Sequence, residues 1–495
     1  MKTIAAGALA GALLCAVPCA ADTLRVGMVG DPATLDPAQS TSVTDRVALA
    51  AVCDKLIDLN DKLAYVPQLA TGWTWAADGR SLTMTLRENV VFHDGEPLDA
   101  QAVAFNFERN KTAPYSRRQT ELKPVSAVSV IDARTLRIEL SEPYAPLMAQ
   151  LADRAGMMVS PKAARELGDK LATRPVCAGP YRFVEWVAQD RIAFEKFERY
   201  WNVGAVHIDK VTYLPIPDDT VRLANLRAGG LDIIERVAPT DIATVRADAR
   251  TRLYDSPSIG YRVLSINMRK SPLGADARLR EAFERALDRA VINQVAFDGL
   301  FIPSNQPEAP GTPFYAQGFP VPPRDLAGAK ALIAASGLSR VPVNFLVSTD
   351  PLDNRVAQII QAMAGEAGFD VKLVLAESAS LLGRLKSGDY EVALLIWSGR
   401  PDPDANIAIW VACDGFVNWG RYCDPRLDDI LRRARSTGDA GERAKLYADA
   451  AAIYLAARPY LFLYHLKWLW GVSAKLDGFV PHPDGIIRLR GLKFR

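Results

Sequence analysis

Apolar runs alternate with helical patterns along the C-terminal half of the chain. The strand-like runs cover residues 341–348, 371–375 and 392–397, and amphipathic helical spacing covers residues 326–336, 355–367 and 378–386. A longer helical pattern, whose Leu279, Phe283, Leu287 and Val291 share one face, follows Asp276. Regular alternation of this kind predicts an α/β fold with a mostly parallel sheet.

The N-terminal half begins with a different pattern. Residues 73–75 and 82–86 alternate in period two around an Asp78-Gly79 turn, which predicts a hairpin, and residues 125–131 and 135–140 predict a second strand pair. Asp99 can cap a helix between the two pairs. Residues 65–185 are therefore expected to form a compact α+β domain of their own.

Between these halves, the pattern predicts a βαβ unit. Residues 211–215 form a strand, Asp218 or Asp219 caps a helix that ends at Gly229-Gly230, and residues 231–234 form the next strand. Two strands joined through a helix run parallel, so the sheet is expected to be parallel at least in part.

The strand of residues 392–397 ends in a loop that carries the most suggestive chemistry. Its apolar residues indicate burial on both faces, and Ser398, Gly399, Arg400, Asp402 and Asp404 follow, with Pro401 and Pro403 between them. Gly399 permits close backbone approach, and the prolines stiffen the exit. Because ligands of open α/β sheets bind outside such strand ends, this loop is a candidate binding site. An ordinary strand-to-loop exit is the alternative.

Length and composition set further bounds. The chain has 495 residues, 49% of them hydrophobic and 23% charged, which fits a globular protein of two or three domains. The formal net charge is only +2, with acids and bases mixed along the chain, so nothing indicates a nucleic-acid partner.

The N-terminus has the pattern of an export signal. Lys2 precedes a small apolar run at residues 4–17, and Cys19-Ala20-Ala21 offers small residues for cleavage after Ala21. Removal of residues 1–21 takes away only Lys2 among charged residues, so the formal charge falls from +2 to +1. Leu14 and Pro18 precede the two signal cysteines, which argues against lipidation. We expect a soluble, exported protein.

Four cysteines remain after cleavage. Cys413 and Cys423 bracket a glycine-containing loop and are expected to form a disulfide in an oxidising compartment. Cys53 and Cys177 are the remaining pair, which forms either a second bridge or two buried thiols.

Catalytic and metal-binding motifs are not evident. The sequence has no Gly-x-Ser-x-Gly, no His-Glu-x-x-His and no phosphate-binding glycine-rich loop. The four histidines are far apart, and His465 lies within an apolar run, where a hydrogen-bonded core role is expected. No metal or cofactor is therefore predicted. Asp402 and Asp404 could form a catalytic carboxylate pair, but helix capping or loop bracing is the favoured role.

Several segments together resemble the extracytoplasmic solute-binding proteins of family 5, the dipeptide, oligopeptide and nickel group of ABC transporters. The residues that carry the resemblance are Pro32-Ala33-Thr34-Leu35-Asp36-Pro37, residues 69–98 with Phe92-His93-Asp94-Gly95-Glu96-Pro97-Leu98, Gly179-Pro180-Tyr181, Tyr200-Trp201, residues 226–232, Asn267-Met268-Arg269, residues 286–289 and residues 397–404. They keep the family's order and span nearly the whole mature chain.

The resemblance implies a two-lobe fold of the type II periplasmic-binding-protein kind, with an extra α+β domain. The expected division is residues 22–64, 186–265 and 471–495 for lobe I, residues 65–185 for the extra domain and residues 266–470 for lobe II. It also implies a monomer that captures a small molecule or peptide between the lobes in the periplasm. Delivery to an ABC permease with cytoplasmic ATPases follows from the same resemblance.

One feature departs from the peptide-binding relatives, which hold the ligand's amino group with an aspartate just after the strand end. Here Arg400 stands at that point and Asp402 comes later. A guanidinium binds carboxylate or phosphate bidentately, so we expect an anionic ligand group at Arg400, with Asp402 bracing it or receiving an amine. A structural bridge from Arg400 to Asp402 or Asp404 is the alternative. The predicted ligand-binding residues are Ser42, Thr44, Trp397, Ser398, Gly399, Arg400 and Asp402.

Two other functional classes stay open at this stage. A secreted hydrolase on a related scaffold would turn over small peptides or esters. A periplasmic chaperone or sensor module would bind unfolded protein without a small ligand.

Overall fold

The computed structural model describes residues 22–310, 312 and 314–495. The predicted signal peptide and its cleavage site lie outside the described residues. Among the described residues, no helix has both the length and the apolar character that a bilayer crossing requires.

The strands, in chain order, are β1 (Thr23–Met28), β2 (Ile57–Leu59), β3 (Tyr65–Pro67), β4 (Ala70–Trp75), β5 (Ser81–Leu86), β6 (Val125–Val130), β7 (Thr135–Leu140), β8 (Tyr181–Val187), β9 (Arg191–Lys196), β10 (Lys210–Pro215), β11 (Ile233–Glu235), β12 (Thr251–Ile266), β13 (Ile302–Pro303), β14 (Val341–Ser348), β15 (Phe369–Ala376), β16 (Val392–Trp397), β17 (Tyr460–Ser473), β18 (Leu476–Asp477) and β19 (Lys493–Phe494).

The α-helices are α1 (Val43–Val52), α2 (Ala100–Thr112), α3 (Leu147–Leu151), α4 (Pro161–Leu167), α5 (Asp219–Ala228), α6 (Ile242–Ala247), α7 (Ser271–Ala275), α8 (Ala277–Ala286), α9 (Arg289–Phe297), α10 (Leu326–Ala335), α11 (Pro351–Ala367), α12 (Ser378–Ser387), α13 (Asp404–Val411), α14 (Pro425–Ser436) and α15 (Ala440–Ala457).

A single mixed sheet runs through both lobes in the order β15-β14-β16-β12-β17-β11-β1-β10-β9-β8, with β13 paired to β17. In the first lobe β1 pairs in parallel with β10 and β11, which confirms the predicted βαβ unit. In the second lobe β14 pairs in parallel with β15 and β16. The predicted α/β class is confirmed.

Two long antiparallel strands connect the lobes. β12 and β17 pair along nearly their whole length, with a register shift between Pro257 and Tyr261. The apolar run that contains His465 forms the start of β17, which continues to Ser473, and β12 was not predicted as one strand. The proposed boundaries after residues 185, 265 and 470 fall inside β8, β12 and β17, so each cuts a continuous strand.

The extra α+β unit has its own sheet and core. Strands β4, β5, β7 and β6 form a separate antiparallel sheet, and both predicted hairpins are present in it. Asp99 caps α2 through the amide of Ala102, as predicted. Leu82, Phe92 and Phe107 belong to one buried cluster beneath this sheet. Strand β8 belongs instead to the large sheet.

Apolar packing covers both faces of the second lobe's sheet. Helices α8, α9, α10 and α11 contribute to one buried cluster with β14 and β15, and α13, α14 and α15 contribute to another. The single helix expected after Asp276 is divided into α8 and α9 because Asp288 caps a new helix through the amide of Val291. A helix-capping side chain thus overrode the continuous apolar face.

Both candidate disulfides are present. Cys413 and Cys423 are bonded, as predicted, and so are Cys53 and Cys177, which resolves the alternative in favour of a second bridge. The bridge between Cys413 and Cys423 closes a short loop of the second lobe. The other ties the end of α1 to the segment that leads into β8.

Candidate functional site between the lobes

The end of strand β16 opens towards the gap between the lobes. Its first four residues are buried, but Ile396 is 47% exposed and Trp397 is partly exposed, so burial on both faces holds only for the start of the strand. Gly399 has a φ of +75°, and a Cβ there would overlap the backbone of Ile259 on β12. Glycine is therefore required where the chain leaves the strand.

Arg400 is fixed to this strand end and faces the opposite side of the gap. Its backbone N–H donates to Asn406 Oδ1 over 2.7 Å, and one terminal nitrogen donates to Ser398 Oγ and the Gly399 carbonyl. Its guanidinium lies 4.8 Å from the ring centre of Trp397. Its Nε lies 3.7 Å from Oδ2 of Asp153. Trp397, Ser398, Gly399 and Arg400 thus lie together at the strand end.

Arginine side chains from both sides of the gap contact Asp153. Arg46 of α1 approaches its Oδ1 to 3.2 Å, and Arg154 approaches its Oδ2 to 3.6 Å. Arg118 lies in the same neighbourhood, where it pairs with Glu121 over 2.6 Å. We call Arg46, Arg118, Arg154 and Arg400 the arginine cluster. In direct ion pairs with the residues that the structure describes, these four guanidinium groups share only two carboxylates, those of Asp153 and Glu121.

Burial and crowding change the ionisation of the cluster. Burial, together with the charges of Arg118, Arg400 and Arg46, lowers the pKa of Arg154 to about 9, although Asp153 opposes this. Burial likewise lowers the pKa of Arg400. Burial alone would raise the pKa of Asp153, but the surrounding guanidinium groups lower it well below its ordinary range. The cluster therefore holds an excess of positive charge at low solvent exposure.

Three buried polar atoms in this region have no hydrogen-bond partner among the described residues. They are Nε of Arg118, Nε of Arg154 and Oγ of Ser40. The three residues are exposed by 3%, 1% and 0%. An unsatisfied buried donor costs about 1–3 kcal/mol, so the cluster favours a further acceptor.

Ser42 joins this region and Thr44 lies beside it. The Ser42 hydroxyl accepts from the amide of Asp45 and caps α1, while its carbonyl accepts from Arg154 over 3.1 Å. Thr44 lies in the first turn of the same helix and is partly exposed. Together with the Ser40 carbonyl, which accepts from Arg118 over 2.9 Å, the backbone before α1 thus holds two members of the arginine cluster.

The two loop aspartates have other partners. Asp402 is 3% exposed and binds Arg443 of α15 bidentately, with both distances 2.8 Å. Asp404 accepts from Arg435 over 2.9 Å. The expected bracing of Arg400 by Asp402 and the alternative bridge to Asp404 are therefore wrong. Asp402 also accepts from the amide of Asp404, which is the loop-bracing role that the sequence favoured.

Glu308 is a further carboxylate that lies close to the strand end, and it takes no part in these ion pairs. Asn406 of α13 donates to Oε1 of Glu308 over 2.9 Å and to the Arg400 carbonyl over 2.7 Å. Its own Oδ1 accepts from Trp397 and from the Arg400 amide. One amide side chain thus links Glu308 to the loop that carries Arg400.

Sequence reasoning did not find Arg46, Arg118, Asp153, Arg154 or Glu308. The available signal was the charged dipeptide Asp153-Arg154 inside the apolar run from Leu147 to Val159, since charges buried among apolar residues are usually paired or functional. His465 is fully buried and its Nε2 lies 3.2 Å from the Gln306 carbonyl, which is the core role expected. Within the described residues, no three or more His, Cys, Asp or Glu side chains are arranged to hold a metal ion.

Comparison with known proteins identifies the family. The sequence profile described as "Bacterial extracellular solute-binding proteins, family 5 Middle" matches residues 64–418, which is more than half of the chain. This chain belongs to the family 5 solute-binding proteins. The predicted resemblance is confirmed.

Relatives of this family 5 protein match it along almost the whole length. Glutathione-binding protein GsiB of Salmonella paratyphi A is 27% identical, over 98% of this chain and 96% of its own. The solved structure of AgaA from A. tumefaciens R10 in complex with agropinic acid is 25% identical, with a TM-score of 0.84, over 96% of this chain and 99% of its own. DppA from Helicobacter pylori, solved with the peptide STSA, has a TM-score of 0.85 at 24% identity, over 95% of this chain and 98% of its own. The predicted two-lobe fold is confirmed.

Proposed function

We propose that this family 5 protein is the periplasmic substrate-binding component of an ABC importer and that its solute is acidic. The solute is a small peptide or a peptide-like carboxylate. Its anionic group lies between the lobes against the arginine cluster, with Arg400 contributing from the second lobe and Arg46, Arg118 and Arg154 from the other side.

The imbalance of charge in the arginine cluster carries this proposal. Four guanidinium groups share two carboxylates in direct ion pairs, and Arg118 and Arg154 each keep an unsatisfied Nε. A carboxylate accepts such donors through two oxygens, and these charge-assisted bonds are about twice as strong as neutral ones. Because the site has little contact with solvent, water screens the attraction only weakly.

The position of the cluster gives it a role in closure. Arg400 meets Asp153 across the gap, and the amide of Ala145 in the extra unit donates to the Arg435 carbonyl of the second lobe. An anion held by arginines from both sides would favour the arrangement in which the lobes are in contact. A ligand shifts such an equilibrium by its difference in affinity between the two states.

Strand β14 leaves the end of strand β16 unpaired on one edge. Strand β14 pairs with β16 only at Val392 and Ala393, so the β16 edge beyond Ala393 is not paired with β14. Backbone groups along such an edge can pair with an extended ligand, as the family resemblance implies. Trp397, Ser398 and Gly399 are the residues that we assign to this contact.

Two relatives support the choice of an acidic or peptide-like solute. One is named glutathione-binding protein, and the other was solved with agropinic acid. Secretion through the N-terminal signal, a monomeric state and delivery to a membrane permease with cytoplasmic ATPases complete the proposal.

A chemical comparison of solutes tests the anion site. Purified protein is mixed with a casein hydrolysate supplemented with glutathione, and retained compounds are identified by ultrafiltration and mass spectrometry. We expect the protein to retain acidic compounds from this mixture and to lose them after carboxyl methylation of the mixture. Equal retention by wild type and by Arg400→Ala would refute the anion site, and retention of nothing by wild type would refute solute binding.

A further inference from the structure

Glu308 is a carboxylate that lies near the proposed anion site without a cation of its own. It is partly exposed, and among the described residues it forms no ion pair. Its Oε1 accepts from Asn406 over 2.9 Å, and no described residue donates to its Oε2. One oxygen is therefore held in place, and the other is open to a donor.

The cation near Glu308 is Arg443, and it is already paired with another carboxylate. Arg443 is bound bidentately to Asp402, and it also donates to the Ala434 carbonyl over 3.0 Å and to the Tyr447 hydroxyl over 3.2 Å. Arg400 donates to Ser398 Oγ and to the Gly399 carbonyl, and it pairs with Asp153. A positive group on Glu308 therefore has to come from outside the chain.

The fold places Glu308 beside the loop that bears Arg400. The Asn406 side chain donates both to Glu308 and to the Arg400 carbonyl, so a single amide separates the carboxylate from that loop. Tyr261 of β12 contacts α13, since its hydroxyl donates to the Asn406 carbonyl over 2.8 Å. The site thus offers a negative group and an excess of positive groups to one small molecule.

We propose that Glu308 receives an ammonium group of the solute, which makes the solute an amino-acid-like zwitterion with both a free amine and a carboxylate. The inference rests on the proposed function and adds the second point of recognition. It assigns to Glu308 the selection of free-amine solutes over their acylated forms. Hydrogen bonds between ammonium and carboxylate are charge-assisted, and this geometry leaves Oε2 free to accept one.

The surroundings of Glu308 determine its protonation state. The pKa of Glu308 is raised to about 8, mainly because of burial and also through the charge of Asp402, although the Asn406 hydrogen bond and Arg443 oppose this rise. The other titratable groups near it are Tyr261, Tyr454 and His465, and burial keeps all three neutral at pH 7 by raising the pKa of both tyrosines and lowering that of His465 to about 4. Glu308 is therefore mostly protonated in the free protein at pH 7.

A bound ammonium reverses this state. The carboxyl group of Glu308 loses its proton to solvent, and the resulting carboxylate pairs with the ammonium, which keeps its own protons. Binding at pH 7 is thus expected to release about one proton, and affinity is expected to rise by up to about tenfold between pH 6 and pH 7.

Acylation of the probe tests the proposal. The glutathione-supplemented casein hydrolysate is divided, and one half is N-acetylated. We expect wild type to retain acidic compounds from the free-amine half and at least about tenfold less from the acetylated half. Glu308→Gln, which keeps the oxygen that Asn406 binds, should retain both halves equally. Glu166→Gln, an exposed substitution on α4, should behave like wild type.

Calorimetry of a retained compound in phosphate and in Tris buffer at pH 7 then counts released protons. Release of about one proton by wild type and none by Glu308→Gln would support the proposal. Equal retention of the acetylated half, or a Glu308→Gln variant with unchanged selectivity, would overturn this proposal while leaving the anion site intact. Retention of nothing by wild type would overturn the proposed function and this inference with it.

Discussion

The Nε of Arg400 on the second lobe lies 3.7 Å from Oδ2 of Asp153, across the gap between the lobes. These residues are distant in the sequence: Arg400 belongs to the second lobe, and Asp153 belongs to the extra α+β unit. Asp153 also binds Arg46 and lies beside Arg154, so the contact joins a residue of the closing lobe to a cluster rather than to one partner. Under the proposed function, closure and anion recognition therefore depend on the same side chains.

Removal of Arg400 should weaken binding of an acidic solute. A hydrogen bond to a charged group contributes about 1.5–3 kcal/mol, so Arg400→Ala should raise the Kd by roughly 10- to 150-fold. Titration calorimetry with a retained acidic compound gives the value. Arg426→Ala, at an exposed position in the first turn of α14, is the matched control and should leave the Kd unchanged. A Kd for Arg400→Ala within twofold of wild type would contradict the prediction.

The buried pair of Asp402 and Arg443 should matter for stability. Their side chains are exposed by 3% and 8%, so Arg443→Met leaves a carboxylate buried without its cation. Removing one partner of such a pair lowers the free energy of unfolding by about 3–5 kcal/mol. Urea unfolding should show a loss of this size, whereas Lys445→Met, on the exposed side of the same helix, should cost less than about 1 kcal/mol. Similar losses for both variants would show that the pair is not a stabilising feature.

The two disulfides should differ in their contributions. Cys53 and Cys177 are 124 residues apart, and Cys413 and Cys423 are 10 apart. Loop-closure entropy gives roughly 5 kcal/mol for the first bridge and roughly 3 kcal/mol for the second. Double serine variants of each pair, compared by denaturant unfolding under oxidising conditions, should preserve this order. A larger loss for the Cys413–Cys423 variant would contradict it.

Acid should weaken the first lobe through Asp484. Burial acts to raise the pKa of this residue, but the charge and hydrogen bonds of Arg488 outweigh it and lower the pKa from 3.8 to about 2. Because the folded pKa is the lower one, its contribution is present above about pH 4 and is lost as pH falls towards 2. Unfolding free energy should therefore fall over this range, and less steeply in Asp484→Asn. An equal slope in the variant would refute the assignment.

Much of the fold followed from local patterns. The hairpins, the βαβ unit and the alternating second lobe were predicted because each depends on spacing within a few residues. The long strand β12 was not, since Ser256, Pro257 and Ser258 interrupt the apolar pattern where the chain passes between the lobes. Pairing with β17 keeps this stretch extended, and a single segment gives no sign of it.

The candidate site could be read from the sequence only in part, for a similar reason. The strand end and Arg400 were visible because glycine, prolines and charges follow an apolar run. The partners were not visible, because Asp153 and Arg46 reach Arg400 only through the folded arrangement of three separate segments. The expected pairing of Arg400 with Asp402 was wrong because α15 places Arg443 against Asp402 bidentately.

The most direct test is a crystal structure of the protein with a compound retained from the hydrolysate. The account predicts that this compound lies between the lobes, with a carboxylate oxygen within about 3 Å of a guanidinium nitrogen of Arg400 or Arg154. A compound that lies outside the gap, or whose anionic group contacts no member of the arginine cluster, would contradict it.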